Sequence, residues 1–521
     1  MKRIPALVLA ALGVAAPAAA QTRLWSPGDR VIISDYSVVR AIAASETWVY
    51  VATPNGLGLY DRRFRRWDPP VTWADGYPRE PVLTALADPA EDAVWLGTVT
   101  GVVRYLPLIR RFDAVTIPGG VRDLMYDRSD PFPGIYLLTS SGWEFLARGS
   151  FIATPAPLPP PGRRVSPPQV EDVMRRAPIV DALQGAVLLD ERLRSYHYTC
   201  AAVAPDAEMY YLGTDGMGVI QVDPLVARFD ALPFGMLGVG AGAVLPVPGG
   251  VWVGTDPRGP RSGLTFVDDD LQEYRFEEGP RGTGFGSPAV HALMARDRMI
   301  WAATDAGVVR VDQAGSTLRL GTVDGLPGET VYALAQGPSG VWIGTARGLG
   351  FLARDADKVR VLDGPGVPVL ALTAARDTVW IGYATGLGLA AAGGDVFVAP
   401  GADSVPELQT AIVAVTRVAD TVVAATVDRV LWRAGAGTWL VERSLAADLG
   451  VIAALAADSG GVWIGGSGGL VRYGFATRAV TVLRVPGDVP GAVRGIAVSR
   501  RYIWAATDAG LVRFRREAVE P

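Results

Sequence analysis

Short apolar runs separated by glycine-containing turns recur along the chain at spacings of roughly forty residues. In each unit an apolar run precedes a segment that usually begins with an aromatic residue. A Gly-Thr step, a turn that ends in Gly and another apolar run usually follow. Residues within these runs alternate with the period of a β-strand, and no helical period accompanies them. The pattern predicts about three to four short antiparallel strands in each unit.

Eleven copies of this unit are readable, and their second strands begin at Trp48, Trp95, Tyr136, Tyr211, Trp252, Trp301, Trp342, Trp380, Val423, Trp463 and Trp504. So small a sheet cannot bury both of its faces, and the copies must therefore stack on one another. Four-stranded units of this period are typical of β-propeller blades, and one ring holds roughly four to eight of them. We therefore expect an all-β fold of tandem β-propellers, with two rings of about five to seven blades and about eleven or twelve blades in total.

The repeat series has no obvious linker, so the boundary between the rings is placed in the glycine-rich stretch at 275–290. This divides the chain into a first propeller over 21–280 and a second over 281–521. A proline-rich insertion at 152–198 interrupts the first propeller, and we expect an irregular excursion, a short helix and a blade edge there. The segment that starts at Arg23 is expected to supply an outer strand that closes a ring with a late blade.

The first twenty residues have the pattern of a signal peptide. Lys2 and Arg3 precede an apolar stretch, and the small residues at 18–20 suit a signal peptidase, which places the mature start at Gln21. The apolar stretch is short for a membrane span, and no comparable stretch follows it. We expect an exported protein, periplasmic or secreted, without a membrane span.

Composition narrows the chemistry further. A net charge of −4 argues against nucleic acid as a partner, because proteins that bind nucleic acids carry clustered basic surfaces. Cys200 is the single cysteine, which rules out an internal disulfide, and we interpret it as a packed small side chain. His197 and His291 are the only histidines and are interpreted as packed or hydrogen-bonded, so no metal site and no cofactor are predicted.

The unit resembles the repeat of the two-component regulator propellers, which form the extracytoplasmic sensor portions of bacterial hybrid histidine kinases. The resemblance rests on the Trp-x-Gly-Thr-x-x-Gly-Leu core at 342–349 and on the Asp-Gly-Leu-Pro linker at 324–327. It covers most of the chain after the signal peptide. It implies a stand-alone sensor-type propeller scaffold without a kinase, with carbohydrate as one ligand class.

Propeller topology indicates where a ligand would bind. The turn between the second and third strands of a blade and the linker to the next blade lie on the same face, around one mouth of the central channel. The candidate binding residues on this face are Arg258, Arg261, Arg347, Asp215 and Asp305. The two arginines of the enlarged turn at 256–262 are favoured, because a tight hairpin does not need that insertion. The repeated Trp residues are interpreted as packing between blades.

No catalytic residue is predicted. We expect a non-catalytic ligand-binding or protein-interaction module whose partner is an oligosaccharide, a peptide or an envelope protein. One alternative is a propeller enzyme that acts on polysaccharide as a lyase or glycoside hydrolase. Another is an assembly factor for exported proteins. The fold does not decide among these alternatives.

Overall fold

The structure is a computed structural model, and it describes residues 23, 25–129, 131–176, 187–206, 208–226, 228–256, 261–278, 285, 289–376, 378–391 and 396–520. These residues form eleven antiparallel sheets of four or five strands, which confirms the predicted all-β fold and agrees with the predicted total of about eleven or twelve blades. Three short helices accompany them: α1 (Val170–Arg176), α2 (Ala446–Leu449) and α3 (Arg516–Val519). The predicted signal peptide lies outside the described residues. No helix among the residues that the structure describes is long and apolar enough to cross a membrane.

Blades 1 to 4 follow the first strand, β1 (Arg30–Ile33), along the chain. Blade 1 contains β2 (Ala41–Ala44), β3 (Trp48–Thr53), β4 (Gly56–Asp61) and β5 (Arg66–Trp67). Blade 2 contains β6 (Val82–Ala87), β7 (Val94–Thr98), β8 (Gly101–Leu106) and β9 (Arg111–Thr116). Blade 3 contains β10 (Asp123–Asp127), β11 (Gly134–Thr139), β12 (Gly142–Ala147), β13 (Ala153–Pro155) and β14 (Arg164–Val165). Blade 4 contains β15 (Val187–Leu189), β16 (Ser195–Val203), β17 (Tyr210–Thr214), β18 (Val219–Asp223) and β19 (Arg228–Leu232).

Blades 5 to 8 continue the series. Blade 5 contains β20 (Ala241–Val247), β21 (Gly250–Thr255), β22 (Leu264–Asp268) and β23 (Tyr274–Glu277). Blade 6 contains β24 (Val290–Arg296), β25 (Met299–Thr304), β26 (Gly307–Val311) and β27 (Thr317–Leu320). Blade 7 contains β28 (Val331–Gln336), β29 (Gly340–Thr345), β30 (Gly348–Ala353) and β31 (Arg360–Val361). Blade 8 contains β32 (Val369–Ala375), β33 (Thr378–Tyr383), β34 (Gly386–Ala391) and β35 (Val396–Val398).

Blades 9 to 11 complete the series. Blade 9 contains β36 (Ala414–Val418), β37 (Thr421–Ala425), β38 (Val430–Ala434) and β39 (Leu440–Glu442). Blade 10 contains β40 (Ile452–Asp458), β41 (Gly461–Gly466), β42 (Gly469–Gly474) and β43 (Val480–Arg484). Blade 11 contains β44 (Val493–Val498), β45 (Tyr502–Thr507) and β46 (Gly510–Arg515), and β1 is its fourth strand.

Blades 5 to 11 form a closed ring of seven. Their innermost strands contact each other in chain order from β20 to β44, and β44 contacts β20 again. Blade 11 has the strand order β1-β46-β45-β44, with Arg30 opposite Phe514 and Ile33 opposite Leu511. The prediction that the segment from Arg23 supplies an outer strand to a late blade is therefore confirmed. We call blades 5 to 11, together with β1, the ring.

Blades 1 to 4 form a shorter series, which we call the arc. The innermost strands contact each other in the order β16, β2, β6 and β10. Within the described residues no comparable contact joins β10 to β16. Instead, β14 and β15 from the proline-rich insertion pair with the inner edges of β10 and β16. A cavity of about 660 Å³ lies beside β14 and the inner strands of the arc, and it is lined by small residues such as Ala43, Ala85 and Ala202 and by Tyr126 and Arg164.

The chain passes between arc and ring at two segments, 34–38 and 233–240, which lie side by side. The Met236 backbone N–H donates to the Ser34 carbonyl at 2.9 Å, and Asp35 and Gly235 form an isolated antiparallel β-bridge. Phe234 stacks on Trp67 of the arc with ring centroids 4.0 Å apart, and it also contacts Tyr274 of the ring. One buried cluster, which includes residues of blades 1, 4, 5 and 11, therefore joins the two units.

The predicted division of the chain differs from the observed contacts in two respects. The boundary expected at 275–290 falls between blades 5 and 6, whose inner strands β20 and β24 are neighbours in the ring. The contacts instead separate the units near residue 240, and the arc has four blades where five to seven were expected. The insertion at 152–198 adds strands and α1 to existing blades, so it holds no twelfth sheet in the part that the structure describes.

Candidate functional site

A repeated hairpin builds the face on which the candidate residues lie. In nine blades the second strand ends at, or is followed by, a buried Thr, at positions 53, 98, 139, 214, 255, 304, 345, 426 and 507. In blade 7 the Thr345 hydroxyl donates to the Gly348 carbonyl at 2.9 Å and accepts from the Arg347 backbone N–H. Gly348 has a φ of +121°, a backbone conformation that favours glycine. The tight turn leaves the side chains of the turn residues at the surface, beside the start of the innermost strand.

The start of the innermost strand brings one residue of each blade to the mouth of the ring. In the ring this residue follows Ala, Val or Ile and precedes Ala or Gly, and it is less buried than the residue before it. In most of these blades a β-bulge lies at this position. We call these positions, together with the adjoining hairpin turns, the turn rim. The mouth residues of blades 5 to 11 are Gly242, His291, Tyr332, Leu370, Val413, Ala453 and Arg494.

These seven mouth residues are seven different amino acids, although the residues on both sides of them hardly vary. Neighbouring blades also share chemical character. Leu370, Val413 and Ala453 form an apolar half of the turn rim, whereas Arg494, His291 and Tyr332 lie in the other half. A ligand at this mouth would therefore meet apolar side chains on one side and hydrogen-bonding groups on the other.

The turn rim of blades 6 and 7 holds a histidine, a carboxylate and a phenol together. His291 Nε2 lies 2.8 Å from Asp305 Oδ1, and the imidazole contacts the Tyr332 ring edge-on at a centroid distance of 5.3 Å. The side chain of His291 is 31% exposed and that of Asp305 is 48% exposed, so both groups are accessible. Sequence reasoning named Asp305 but missed Tyr332. It also did not see that Asp305 pairs with His291.

Arg347 follows in the next hairpin turn. Its side chain is exposed and makes no ion pair with any other residue that the structure describes. In blade 11 Arg494 lies 4.0 Å from Asp508, which occupies the place that Asp305 has in blade 6. The structure therefore places two of the candidates, Asp305 and Arg347, in adjacent blades of one rim.

Asp215 lies in the arc, apart from these two. Its carboxylate lies 3.0 Å from His197 Nδ1 and accepts from the His197 backbone N–H at 2.8 Å. Both histidines of the protein thus pair with an Asp of a hairpin turn, one in each unit. The sequence signal is an Asp directly after the Thr of the second strand, because this position faces the start of the innermost strand.

Arg261 lies at the junction between ring and arc. Its guanidinium donates to Glu278 at 2.7 Å, and Arg194 of the arc donates to both oxygens of the same carboxylate at 2.7 and 3.0 Å. Burial raises the pKa of Glu278, but the hydrogen bond from Arg194 and the charge of Arg261 outweigh it and hold the pKa below its usual range. Arg261 therefore has a partner within the protein, and Arg258 lies outside the described residues.

A metal site and a reactive thiol are two further chemical possibilities. Within the ranges that the structure describes, no group of three or more His, Cys, Asp or Glu residues could hold a metal ion. Cys200 lies close to Gly213, and burial raises the pKa of its thiol to about 11. Such a thiol is almost entirely protonated near neutral pH, which agrees with the interpretation of Cys200 as a packed side chain.

Comparison with known proteins places the chain by its fold. No family model matches the sequence, and no curated protein shows significant sequence similarity to it. Among solved structures, PorZ of Porphyromonas gingivalis, an essential bacterial surface component of the type-IX secretion system, is 9% identical. The alignment covers 94% of this chain and 87% of PorZ, with a TM-score of 0.54.

Two other similar structures have lower TM-scores. The extracellular domain of a hybrid two component system from B. thetaiotaomicron is 16% identical over 92% of this chain and 68% of its own, with a TM-score of 0.44. Virginiamycin B lyase from Staphylococcus aureus is 16% identical over 53% of this chain and 94% of its own, with a TM-score of 0.43. At these identities the likeness concerns the fold alone. Membership of the two-component regulator propeller family therefore stays a prediction.

Proposed function

We propose that the protein is an exported, non-catalytic β-propeller that binds a glycan at the turn rim of the ring. The observation that carries this proposal is the variation at one position of an otherwise constant repeat. The residues that pack the blades recur from blade to blade, whereas the mouth residues of the seven ring blades are all different. Packing does not require such variation, but recognition of an asymmetric ligand does.

The residues of the polar half suit a sugar. His291 and Tyr332 provide ring surfaces and hydrogen-bonding groups, and Arg347 provides unpaired donors in the adjacent turn. Sugar rings combine an apolar face with hydroxyl groups, so aromatic and polar side chains together match them better than either kind alone. The apolar half of the turn rim would face the less polar side of the ligand.

The test is a titration of the protein with a panel of oligosaccharides, read as a shift in melting temperature. A ligand at about a hundred times its Kd adds roughly 2.7 kcal/mol to the free energy of unfolding. Tyr332→Ala and Arg347→Ala should weaken the binding of a hit about ten-fold or more without lowering the melting temperature of the free protein. Arg360→Ala is the control, because Arg360 is exposed on the outer strand β31 of the same blade as Tyr332 and Arg347. Equal weakening by all three variants would contradict the proposed site.

A second candidate function is catalysis on polysaccharide, and the His291–Asp305 pair favours it. A carboxylate that holds an imidazole in one orientation is an arrangement used in general acid–base chemistry. Incubation with any sugar that binds, followed by chromatography of products, separates the two functions. Turnover that His291→Gln abolishes would establish an enzyme. If no sugar in the panel shifts the melting temperature, the proposal of a glycan fails, and affinity isolation of envelope proteins becomes the next experiment.

A further inference from the structure

The arc presents exposed apolar side chains at one kind of turn. Among the residues that the structure describes, nine large apolar residues are more than 60% exposed, and seven of the nine lie in the turns just before the outermost strands β5, β9, β13 and β19. These seven are Phe64, Leu108, Ile109, Phe151, Ile152, Leu225 and Val226. We call the four turns, at 62–65, 107–110, 148–152 and 224–226, the apolar turns. Exposed apolar residues that gather on one part of a surface mark a site of interaction.

Folding of the turn does not require these apolar residues. In blade 1 the Asp61 carboxylate accepts from the backbone N–H groups of Arg63 and Phe64 at 2.8 and 3.0 Å. In blade 6 of the ring the Asp312 carboxylate accepts in the same way from the Ala314 backbone N–H at 2.8 Å, and this turn, 312–316, has no large apolar residue. An Asp side chain thus closes both turns through the backbone. The exposed side chains of the arc therefore need a reason other than the stability of the turn.

The four apolar turns lie on one face of the arc. In a meander of antiparallel strands, the turn before the outermost strand is at the same end of the sheet as the turn after the innermost strand. Polar contacts link neighbouring blades at this end. They are Arg62–Asp206 between blades 1 and 4, Ser45–Asp92 between blades 1 and 2, and Glu91–Arg148 between blades 2 and 3. A partner that meets one apolar turn therefore meets the others from the same side.

Arginines accompany the apolar side chains. Those in the apolar turns or directly beside them are Arg62, Arg63, Arg65, Arg66, Arg110, Arg111, Arg148 and Arg228. Arg63 and Arg65 are exposed and make no ion pair with any other described residue, and the Arg66 guanidinium lies 5.0 Å from the centroid of the Phe64 ring. The corresponding ring turns at 269–273 and 312–316 contain no arginine or lysine. The arc turns thus combine apolar tips with cations, and these ring turns do not.

We propose that the apolar turns bind the arc to the surface of a phospholipid bilayer, with their apolar side chains among the acyl chains and their arginines at the phosphate groups. The seven side chains are spread over four blades, so a protein partner would need a separate pocket for each turn. A bilayer accepts apolar groups anywhere on its surface, and its phosphates match the flanking cations. The proposal goes beyond glycan binding at the turn rim and does not depend on it.

The same face also carries carboxylates, and these set the balance of forces. Glu46 and Glu208 are exposed and line a cavity of about 430 Å³ together with Arg63 and Arg65. We therefore expect insertion of the apolar side chains, rather than net charge, to supply most of the binding. Binding to vesicles should then persist at about 0.5 M salt, where attraction between exposed charges is largely screened.

A fluorescent label at single cysteines measures insertion directly. Burial raises the pKa of the Cys200 thiol to about 11, so a label reacts preferentially with a cysteine introduced at the surface. Leu108→Cys and Phe151→Cys are labelled with nitrobenzoxadiazole and mixed with vesicles of phosphatidylethanolamine and phosphatidylglycerol. The emission of both should rise, and nitroxide groups on the acyl chains should quench it. Val323→Cys is the matched control, because Val323 is 86% exposed but lies in the ring, and its label should not respond.

Vesicle flotation with unlabelled variants then assigns the binding to the apolar turns. The combination of Phe64→Ser, Leu108→Ser, Phe151→Ser and Leu225→Ser should weaken binding by about a hundred-fold or more, because it removes the largest inserted side chain of each turn. Val323→Ser should leave binding unchanged.

The arginines should contribute less than the apolar side chains. Arg63→Gln combined with Arg65→Gln should weaken binding to phosphatidylglycerol vesicles by about ten-fold. The same pair of substitutions should have little effect on binding to vesicles of phosphatidylcholine alone. Melting temperatures verify that every variant folds.

Three results would overturn the proposal. The first is that the unaltered protein does not float with any of these vesicles. The second is binding that high salt abolishes and that the four serine substitutions leave intact, which would mean attraction by charge alone. The third is a dimer in solution that the same four substitutions dissociate while vesicle binding stays absent, because a second copy of the chain would then cover the apolar turns.

Discussion

The ring and the arc are built from the same repeat but differ in how their sheets close. In the ring, seven blades form a closed circle of inner-strand contacts. Strand β1, which precedes the arc in the sequence, completes the sheet of the last blade. In the arc there are four blades, and the insertion adds β14 and β15 to the inner edges of β10 and β16. The difference teaches that the repeat determines the blade, whereas segments outside the regular repeat, β1 and the insertion, complete the edges of particular sheets.

Removal of β1 should give the largest difference in stability between the ring and the arc. Deletion of residues 23–33 exposes the edge of β46 and removes Val31, Ile32 and Ile33, which are at most 6% exposed. Loss of buried aliphatic side chains costs about 2–5 kcal/mol each, so we expect the ring to lose more than about 5 kcal/mol. Hydrogen exchange measured by mass spectrometry should show loss of protection across blades 5 to 11.

The arc is the internal control for this deletion. Among the described residues, no strand of blades 2 and 3 pairs with β1 or β46, so the amides of these blades should keep most of their protection. Addition of a synthetic peptide of residues 23–36 should restore protection in the ring. A deletion variant that melts like the unaltered protein would disprove closure by β1.

Phe234 tests whether the two units unfold together. Because Phe234 stacks on Trp67 and contacts Tyr274, Phe234→Ala should cost about 3–5 kcal/mol and separate the unfolding of the arc from that of the ring. Calorimetry should show one transition become two. Phe151→Ala, at a side chain that is 73% exposed, should leave the melting profile unchanged. A single transition in Phe234→Ala would mean that other contacts couple the units.

The ion pairs at the junction should make a smaller, pH-dependent contribution to the free energy of unfolding. The folded pKa of Glu278 lies below its usual value of 4.5, so the stability that this carboxylate provides is present above that value. It is lost as the pH falls through the folded pKa. Glu278→Gln should therefore cost about 3 kcal/mol at pH 7, because Arg261 and Arg194 lose a buried partner, and the difference should shrink below about pH 4.

Denaturant titrations at several pH values measure this difference. Glu273→Gln is the control, since Glu273 pairs with Arg275 at an exposed site and should change stability by less than about 1 kcal/mol. A cost of Glu278→Gln that is the same at pH 3 and pH 7 would show that packing, rather than charge, holds the junction.

Modification of Cys200 should give the smallest effect, and its rate reports on the folding of the arc alone. Because its thiol pKa is raised to about 11, iodoacetamide should modify it at pH 8 at least ten-fold more slowly than it modifies a free thiol. The rate should stay low in the β1 deletion if the arc remains folded, and it should rise in denaturant. Fast modification in the native protein would contradict the burial of this side chain.

Much of the fold was predictable because each blade is a local structure. The apolar runs, the Gly-Thr step and the turn glycines specify a hairpin within a few residues. They predicted eleven or twelve blades, and the described residues form eleven sheets. The grouping of blades was not predictable in the same way. Contact between β20 and β44 joins residues about 250 positions apart, and no local pattern distinguishes it from contact between consecutive blades.

The candidate site shows the same division. The turn positions of Asp305 and Arg347 followed from topology alone, and both lie at the turn rim. Arg261 was expected to be free for a ligand, but it pairs with Glu278 and neighbours Arg194, which comes from a different unit. A sequence identifies a charged residue in an enlarged turn, but the partner that neutralises it is set by the packing of distant blades.

The position of β1 has a consequence for biogenesis. Along the chain, the arc lies between β1, which is the outermost strand of blade 11, and all the other strands of the ring. During synthesis β1 is made first and its partner β46 last, so its edge remains unpaired while nearly every other strand is produced. Unpaired strand edges are templates for association with other chains. The arc can mature early, but the ring must wait for its final blade, and this interval is when the nascent protein has the greatest need of protection from aggregation.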